Sequence, residues 1–163
     1  MATEIDAGLF KQINSQSCVL EKFAYRIVRS REEAEDIVQE TLMQAFKSLS
    51  SGLRPENLRG WIFTIAYNKA IDYIREAEKQ KLLEDRIVVK IHENIHRGEK
   101  VNVFDEVLDK IPVTYRAAFI LRFIHGFKFE DISVVMDTPV GTCKVYAGRA
   151  LNSLRIILKE RGL

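Results

Sequence analysis

Three sets of side chains in this sequence have types and spacings suited to chemistry on a partner. From Asp137 to the C-terminus, Lys144, Arg149, Arg155, Lys159 and Arg161 stand against only Asp137 and Glu160. That makes the last helical segment locally basic, a surface for phosphate oxygens. Asn68, Asp72 and Arg75 share one helical face, with Lys69 and Lys79 beside it. An amide can hydrogen-bond a base edge, Lys and Arg hold phosphates, and Trp61, Phe63 and Tyr67 offer faces on which unpaired bases could stack. Asp36, Gln39, Glu40 and Met43 fall at i, i+3, i+4 and i+7. They form a polar stripe with one soft side chain, suited to docking on another protein's helices. Each set has a plain alternative: a solvated basic face, a Trp61 that belongs to the core with Leu58, Ile62 and Ile65, and a solvated acidic face.

Other chemistries find less support. His92 and His96 in "IHENIH" are four apart and would need a third ligand to hold a metal, and no HExxH accompanies them. "GTCK" lacks the preceding Gly and the spacing of a phosphate-binding loop. No nucleophile with a plausible base is evident, so the reading is of no catalytic residue, no metal and no cofactor. The 163 residues are 47% hydrophobic and 29% charged, the make-up of folded protein in one domain or two small ones. A formal net charge of +2 means that any nucleic-acid surface must come from local clustering. Cys18 and Cys143, without a CxxC pair or a signal peptide, read as reduced, buried thiols of a cytoplasmic protein. No apolar run approaches the roughly 20 residues that span a bilayer, so no membrane insertion is expected.

The elements that must position these side chains are helices. Segment 4–28 carries Leu9, Ile13, Leu20, Phe23, Ile27 and Val28 on one side and reads as one helix. Ser30 with Glu33 is a capping box for a second helix, which carries Ala34, Ile37, Val38, Leu42, Ala45, Phe46 and Leu49 inward and ends at "SLSSG". A third follows Pro55, with Leu58, Ile62, Ile65, Ala66, Ala70, Tyr73 and Ile74 at helical spacing. Residues 81–104 mix charge with scattered Ile and Val and read as a flexible linker. Period 3.6 returns at Val107, Leu108 and Ile111 and runs to Gly126, a helix stop. "KFEDISVVMD", the turn Thr138-Pro139-Val140-Gly141 and a basic helix then make a helix-turn-helix pattern, with Thr138 as the expected cap and Pro139 in the first turn. Gly148 sits inside that helix at a cost of roughly 1 kcal/mol relative to Ala. The architecture expected is all-α, with two small helical domains at 1–80 and 105–163.

"EAEDIVQETLMQAF" followed by "LRGWIFTIAYNKAIDYIR" resembles region two of the bacterial sigma factors, and "LDKIPVTYRAAFILRFIHGFKFEDISVVMDTPVGTCKVYAGRALNSLR" resembles region four. Both motifs, in this order across a short linker, resemble the extracytoplasmic-function group of the sigma-70 family. The resemblance covers about residues 5–160. It implies an alternative sigma factor that binds core RNA polymerase and directs promoter-specific initiation. The implied partners are the clamp helices of beta-prime at Asp36, Gln39, Glu40 and Met43, the flap of beta, promoter DNA and an anti-sigma factor. It implies minus-ten recognition by Arg54, Asn57, Trp61, Asn68, Lys69, Asp72 and Arg75, with a flipped base captured by the loop Ser50 to Asn57. It implies minus-thirty-five recognition by Arg116, Thr142, Lys144, Val145, Tyr146 and Arg149. Val145 and Tyr146 stand where these factors usually carry Arg or another polar residue, and Lys128 where a Ser or Thr cap is common. The linker is expected to thread toward the polymerase active site and RNA exit. The alternative is a free-standing helix-turn-helix regulator, which has no reason to carry the two N-terminal polar faces.

Overall fold

The computed structural model describes residues 7–84 and 102–163, and every regular element among them is helical. The first unit comprises α1 (Ala7–Ser15), α2 (Ser17–Val28), α3 (Arg31–Ser50) and α4 (Leu58–Glu84). The second comprises α5 (Val103–Leu108), α6 (Val113–Phe119) running into a π-helical turn (Ile120–Ile124), α7 (Phe129–Met136) and α8 (Val140–Glu160). Residues 81–84 thus extend α4 and α5 begins at Val103; the remainder of the expected linker, with His92 and His96, lies outside the described residues.

The expected helix over 4–28 is two helices among its described residues. Ser15 Oγ donates to the Gln12 carbonyl at 2.6 Å, and the Gln16 N–H turns back to the Ile13 carbonyl at 3.0 Å. Side chains of the "NSQS" run compete for backbone partners, so the α-helical ladder breaks there. At the next boundary Ser30 is extended and its hydroxyl accepts the Glu33 N–H at 3.4 Å, as the capping pattern predicts. Leu20, Phe23 and Ile27 of α2, Ala34, Ala45 and Leu49 of α3, and Ile62, Phe63, Ala66 and Ala70 of α4 are all buried. Each Leu, Ile or Phe removed from water this way contributes about 1.5–3 kcal/mol.

In the second unit α6 packs along α8, and α7 lies across both α8 and α4. The π turn ends where the His125 N–H reaches the Ile120 carbonyl at 3.0 Å, and Gly126, at φ +72°, makes the stop a side chain would strain. Asp137 takes the left-handed conformation (φ 48°) that closes α7. Thr138 does not cap α8: its hydroxyl donates to the Met136 carbonyl at 3.0 Å, while Pro139 occupies the cap position with no side-chain hydrogen bond. A hydroxyl already used to close the preceding helix is not available to open the next. Cys143 is buried as expected, but Cys18 is exposed, on the outer side of α2.

The two units are packed together, and their apolar side chains form one cluster. Phe63 of α4 stands 4.9 Å from the Phe127 ring and 5.2 Å from that of His125, which also meets Phe23 edge-on at 5.6 Å. Arginines staple the rim. Arg26 pairs with Asp105 at 3.4 Å and Arg29 with Asp109 at 2.5 Å. Arg59 donates to the His125 carbonyl at 2.6 Å and lies 4.2 Å above the Phe127 ring.

Candidate nucleic-acid interface

The stripe on α3 is built as its spacing predicts. Ile37, Val38 and Thr41 are buried, the Thr41 hydroxyl donating to the Ile37 carbonyl at 2.6 Å. Asp36, Gln39, Glu40 and Met43 therefore face outward, and Met43 is 70% exposed, an apolar side chain left in water. Glu40 also lies 3.7 Å from Lys69 Nζ, so the stripe touches the neighbouring face of α4.

On α4, Asn68, Asp72 and Arg75 are exposed and Lys69 is half-buried. Asp72 and Arg75 stand 3.9 Å apart, an exposed pair that contributes little on its own. Trp61 is half-buried against the core, midway between platform and core residue. Phe63 and Tyr67, expected as faces for unpaired bases, are instead buried, so neither ring is open to stacking. Burial raises the Tyr67 phenol pKa; Arg75 opposes the rise, while Cys143 and Tyr146 add to it. The middle of α4 thus lies close to the start of α8.

The loop before α4 is held by its own side chains. Asn57 Oδ1 accepts the Gly60 N–H at 3.0 Å, an N-terminal cap for α4 that shows only once the loop is folded. A Cβ at Gly60 would come within 2.8 Å of Asn57 Nδ2, so the small residue keeps the cap in place. Arg54 Nη1 donates to the Leu49 and Leu53 carbonyls, both at 2.8 Å, closing the end of α3.

On α8, Lys144, Val145 and Arg149 are exposed, and Thr142 and Tyr146 half-buried. Leu154 is buried and Leu151 and Leu158 pack on the core, so the helix is amphipathic in the expected register. Arg116 is placed differently from the others. It is only 5% exposed, donating to the Ile27 carbonyl at 2.9 Å and to that of Leu108 at 3.3 Å, with Asp109 at 3.9 Å. Burial lowers its pKa, the Asp109 carboxylate opposing that; burial likewise raises the pKa of Asp109 against the pull of Arg29 and Arg116.

Side chains that sequence spacing did not single out surround these. Tyr115 lies against Tyr146 and Arg149, and the Phe129 ring has Arg122 at 5.0 Å and Lys144 at 6.0 Å. Nothing in local periodicity could pair them, because each contact joins different helices. Among the described residues, no group of three His, Cys, Asp or Glu side chains is close enough to hold a metal ion, and no helix is long and apolar enough to cross a membrane.

Exposed polar faces stand on α4 and on the second helix of a helix-turn-helix, and family profiles match both units. The profile described as Sigma-70 region 2 matches residues 19–80, and that described as Sigma-70, region 4 matches residues 102–154. The RNA polymerase sigma factor SigV of Bacillus subtilis is 30% identical over 142 residues, covering 87% of this chain and 86% of that protein. The chain belongs to the extracytoplasmic-function group of the sigma-70 family. EcfG of Rhodopseudomonas palustris, a sigma factor of that group, is 31% identical over 88% of this chain and 81% of its own. Among solved structures, the sigma factor RpoE of Bartonella quintana, in complex with the anti-sigma factor NepR, superposes with a TM-score of 0.79 at 27% identity, over 94% of this chain and 98% of that one. As a sigma factor this chain directs transcription initiation and is not a free-standing regulator. Sigma factors are generally DNA-recognition proteins rather than enzymes.

Proposed function

We propose that the α3 stripe of Asp36, Gln39, Glu40 and Met43 docks on the clamp helices of beta-prime in the cytoplasm. In this reading the exposed apolar side chains of Phe123 and Ile124 meet the flap of beta. Once docked, the α4 face with Asn68, Lys69, Asp72 and Arg75, and the loop with Arg54 and Asn57 before it, reads the opened minus-ten element. The N-terminal turns of α8 enter the major groove at minus-thirty-five, Lys144 and Arg149 on phosphates and Val145 and Tyr146 against thymine methyl groups. The division is 1–80 for polymerase docking and minus-ten reading, 81–104 for the connection, and 105–163 for minus-thirty-five reading. The observation that carries the reading is the joint exposure of the polar residues of α3, α4 and α8 on helices whose opposite sides are buried.

Elements named minus-ten and minus-thirty-five lie about 25 base pairs apart, or about 85 Å of duplex at 3.4 Å per base pair. α4, the longest helix among the described residues, has 27 residues, which is about 40 Å. The packed units must therefore part before both elements are engaged, and Arg116 gains solvent, or a phosphate, only then. An anti-sigma partner fits the same picture, since RpoE of Bartonella quintana is held by one. Run-off transcription with purified core polymerase on genomic promoter fragments tests the reading: discrete transcripts dependent on this chain are expected, and a chain that neither binds core nor directs start sites would sink it.

A further inference from the structure

Arg149 is a long, exposed basic side chain at the C-terminal end of the reading face of α8, and it is not left to wander. Its Nη1 donates to the Tyr115 hydroxyl of α6 at 2.8 Å. The guanidinium carbon lies 5.6 Å from the Tyr115 ring centre, near the outer limit for a cation over a ring, so the hydroxyl is the main link. The ring of the same tyrosine meets the Tyr146 ring, centroids 5.1 Å apart and tilted by 40°. Tyr115 is half-buried at the start of α6, the helix most closely packed on α8, so its ring is carried by the second unit.

We propose that Tyr115 is a positioning residue for minus-thirty-five recognition, a post on α6 that sets the rotamer of Arg149 through its hydroxyl and the tilt of Tyr146 through its ring. The proposal rests on the reading of α8 given above and adds to it a residue outside the helix-turn-helix. The chemistry is that of entropy. A guanidinium has five N–H donors; one committed to Tyr115 leaves the others in a fixed fork for a phosphate. A free arginine must instead lose its rotamer freedom on binding DNA. The loss avoided is on the order of a three- to tenfold change in affinity for one side chain. The split within the tyrosine matters too. Its hydroxyl serves a side chain that holds phosphate, while its ring serves one that can select bases, so the two parts of Tyr115 influence affinity and preference separately.

The test uses the full chain assembled with core polymerase, on duplex fragments that differ only in the minus-thirty-five sequence. Tyr115→Phe, which keeps the ring, is expected to weaken binding roughly three- to tenfold on every fragment alike. Core binding, thermal midpoint and base preference should stay as they were. In an Arg149→Ala background the same substitution should have almost no further effect, because the group it positions is gone. Tyr115→Leu should in addition alter base preference through Tyr146. If Arg149→Ala weakens binding while Tyr115→Phe does not, or if their losses simply add, the positioning role is wrong and the reading of α8 stands. If Arg149→Ala itself leaves binding and its salt dependence unchanged, the reading of Arg149 fails and the proposal falls with it.

Discussion

The stripe of α3 and the reading face of α8 are both polar sides of amphipathic helices, yet they are held in opposite ways. Asp36, Gln39, Glu40 and Met43 project from α3 with little to guide them beyond the helix, Glu40 making one long contact to Lys69. On α8 the long side chains stand beside rings carried by other helices, Arg149 at Tyr115 and Lys144 near Phe129. The difference is not one of side-chain length, since Gln, Glu and Met lose about as much rotamer freedom on burial as Lys and Arg, roughly 1.5–2 kcal/mol each. On α3 that freedom is left to be lost on docking, whereas on α8 part of it is already given up to rings of neighbouring helices.

The hardest test of that contrast is charge reversal on the unguided surface. Glu40→Lys, alone or with Gln39→Ala, is expected to weaken core binding a hundredfold or so, because a like charge in the middle of a docking face costs several kcal/mol. Circular dichroism should be unchanged, since the position is exposed. Co-purification with core polymerase at wild-type affinity would show that α3 docks elsewhere.

A second test separates the packing between the units from the packing within them. Arg116→Ala removes the group that joins the Ile27 and Leu108 carbonyls and faces Asp109, leaving a partly buried carboxylate with one fewer cation. A loss of about 2–4 kcal/mol in unfolding free energy is expected, with the loss concentrated in a second unit that separates more readily from the first. Chemical denaturation followed by fluorescence from Trp61, which lies in the first unit, and by circular dichroism should then give transitions that no longer coincide; coincident curves with an unchanged midpoint would remove Arg116 from the clamp.

The same interface should respond to acid. His125 sits among Phe23 and Phe63 with its pKa pushed down to about 4, chiefly by burial and then by Arg26 and Arg59. The packed state favours the neutral ring, so the stabilisation is complete above the ordinary histidine pKa and is lost as pH falls from about 6.5 toward 4. Over that window stability should fall by on the order of 1 kcal/mol per pH unit. A His125→Gln variant should lose that component of the pH dependence, and an identical profile for both proteins would mean that the ring is solvated.

Most of this architecture is legible in the sequence because helical period is a local signal. The buried sides of α3 and α8 follow from spacing, as do the Ser30 cap and the Gly126 stop, but on α4 Phe63 and Tyr67 read as faces for unpaired bases and are buried. What spacing could not supply was anything requiring two helices at once. Arg116 reads as a basic residue near a helix-turn-helix, and only the approach of α2 shows its guanidinium spent on the Ile27 carbonyl. Thr138 reads as a cap for α8 because nothing in the string "MDTPVG" reveals that its hydroxyl closes α7. Tyr115 carries no periodic signal for α8, a contact across 34 positions of chain.

The smallest effects expected are those of single side chains on α8, and they test whether its supported face reads DNA as assigned. Lys144 is exposed and 6.0 Å from the Phe129 ring centre, at the edge of useful cation–π attraction, so its charge remains available to a phosphate. Lys144→Ala should weaken holoenzyme binding to every minus-thirty-five sequence alike and lower the slope of log affinity against log salt by about 1. Tyr146 carries no charge and lies half-buried beside Tyr115. Tyr146→Ala should leave the salt slope as it was and change which bases are preferred, by about 1–3 kcal/mol at a base it contacts. Binding of holoenzyme to a panel of minus-thirty-five variants at several salt concentrations distinguishes the two. If both slope and preference are indifferent to both substitutions, α8 is an amphipathic helix with a solvated basic side, and Tyr115 steadies side chains that touch only water.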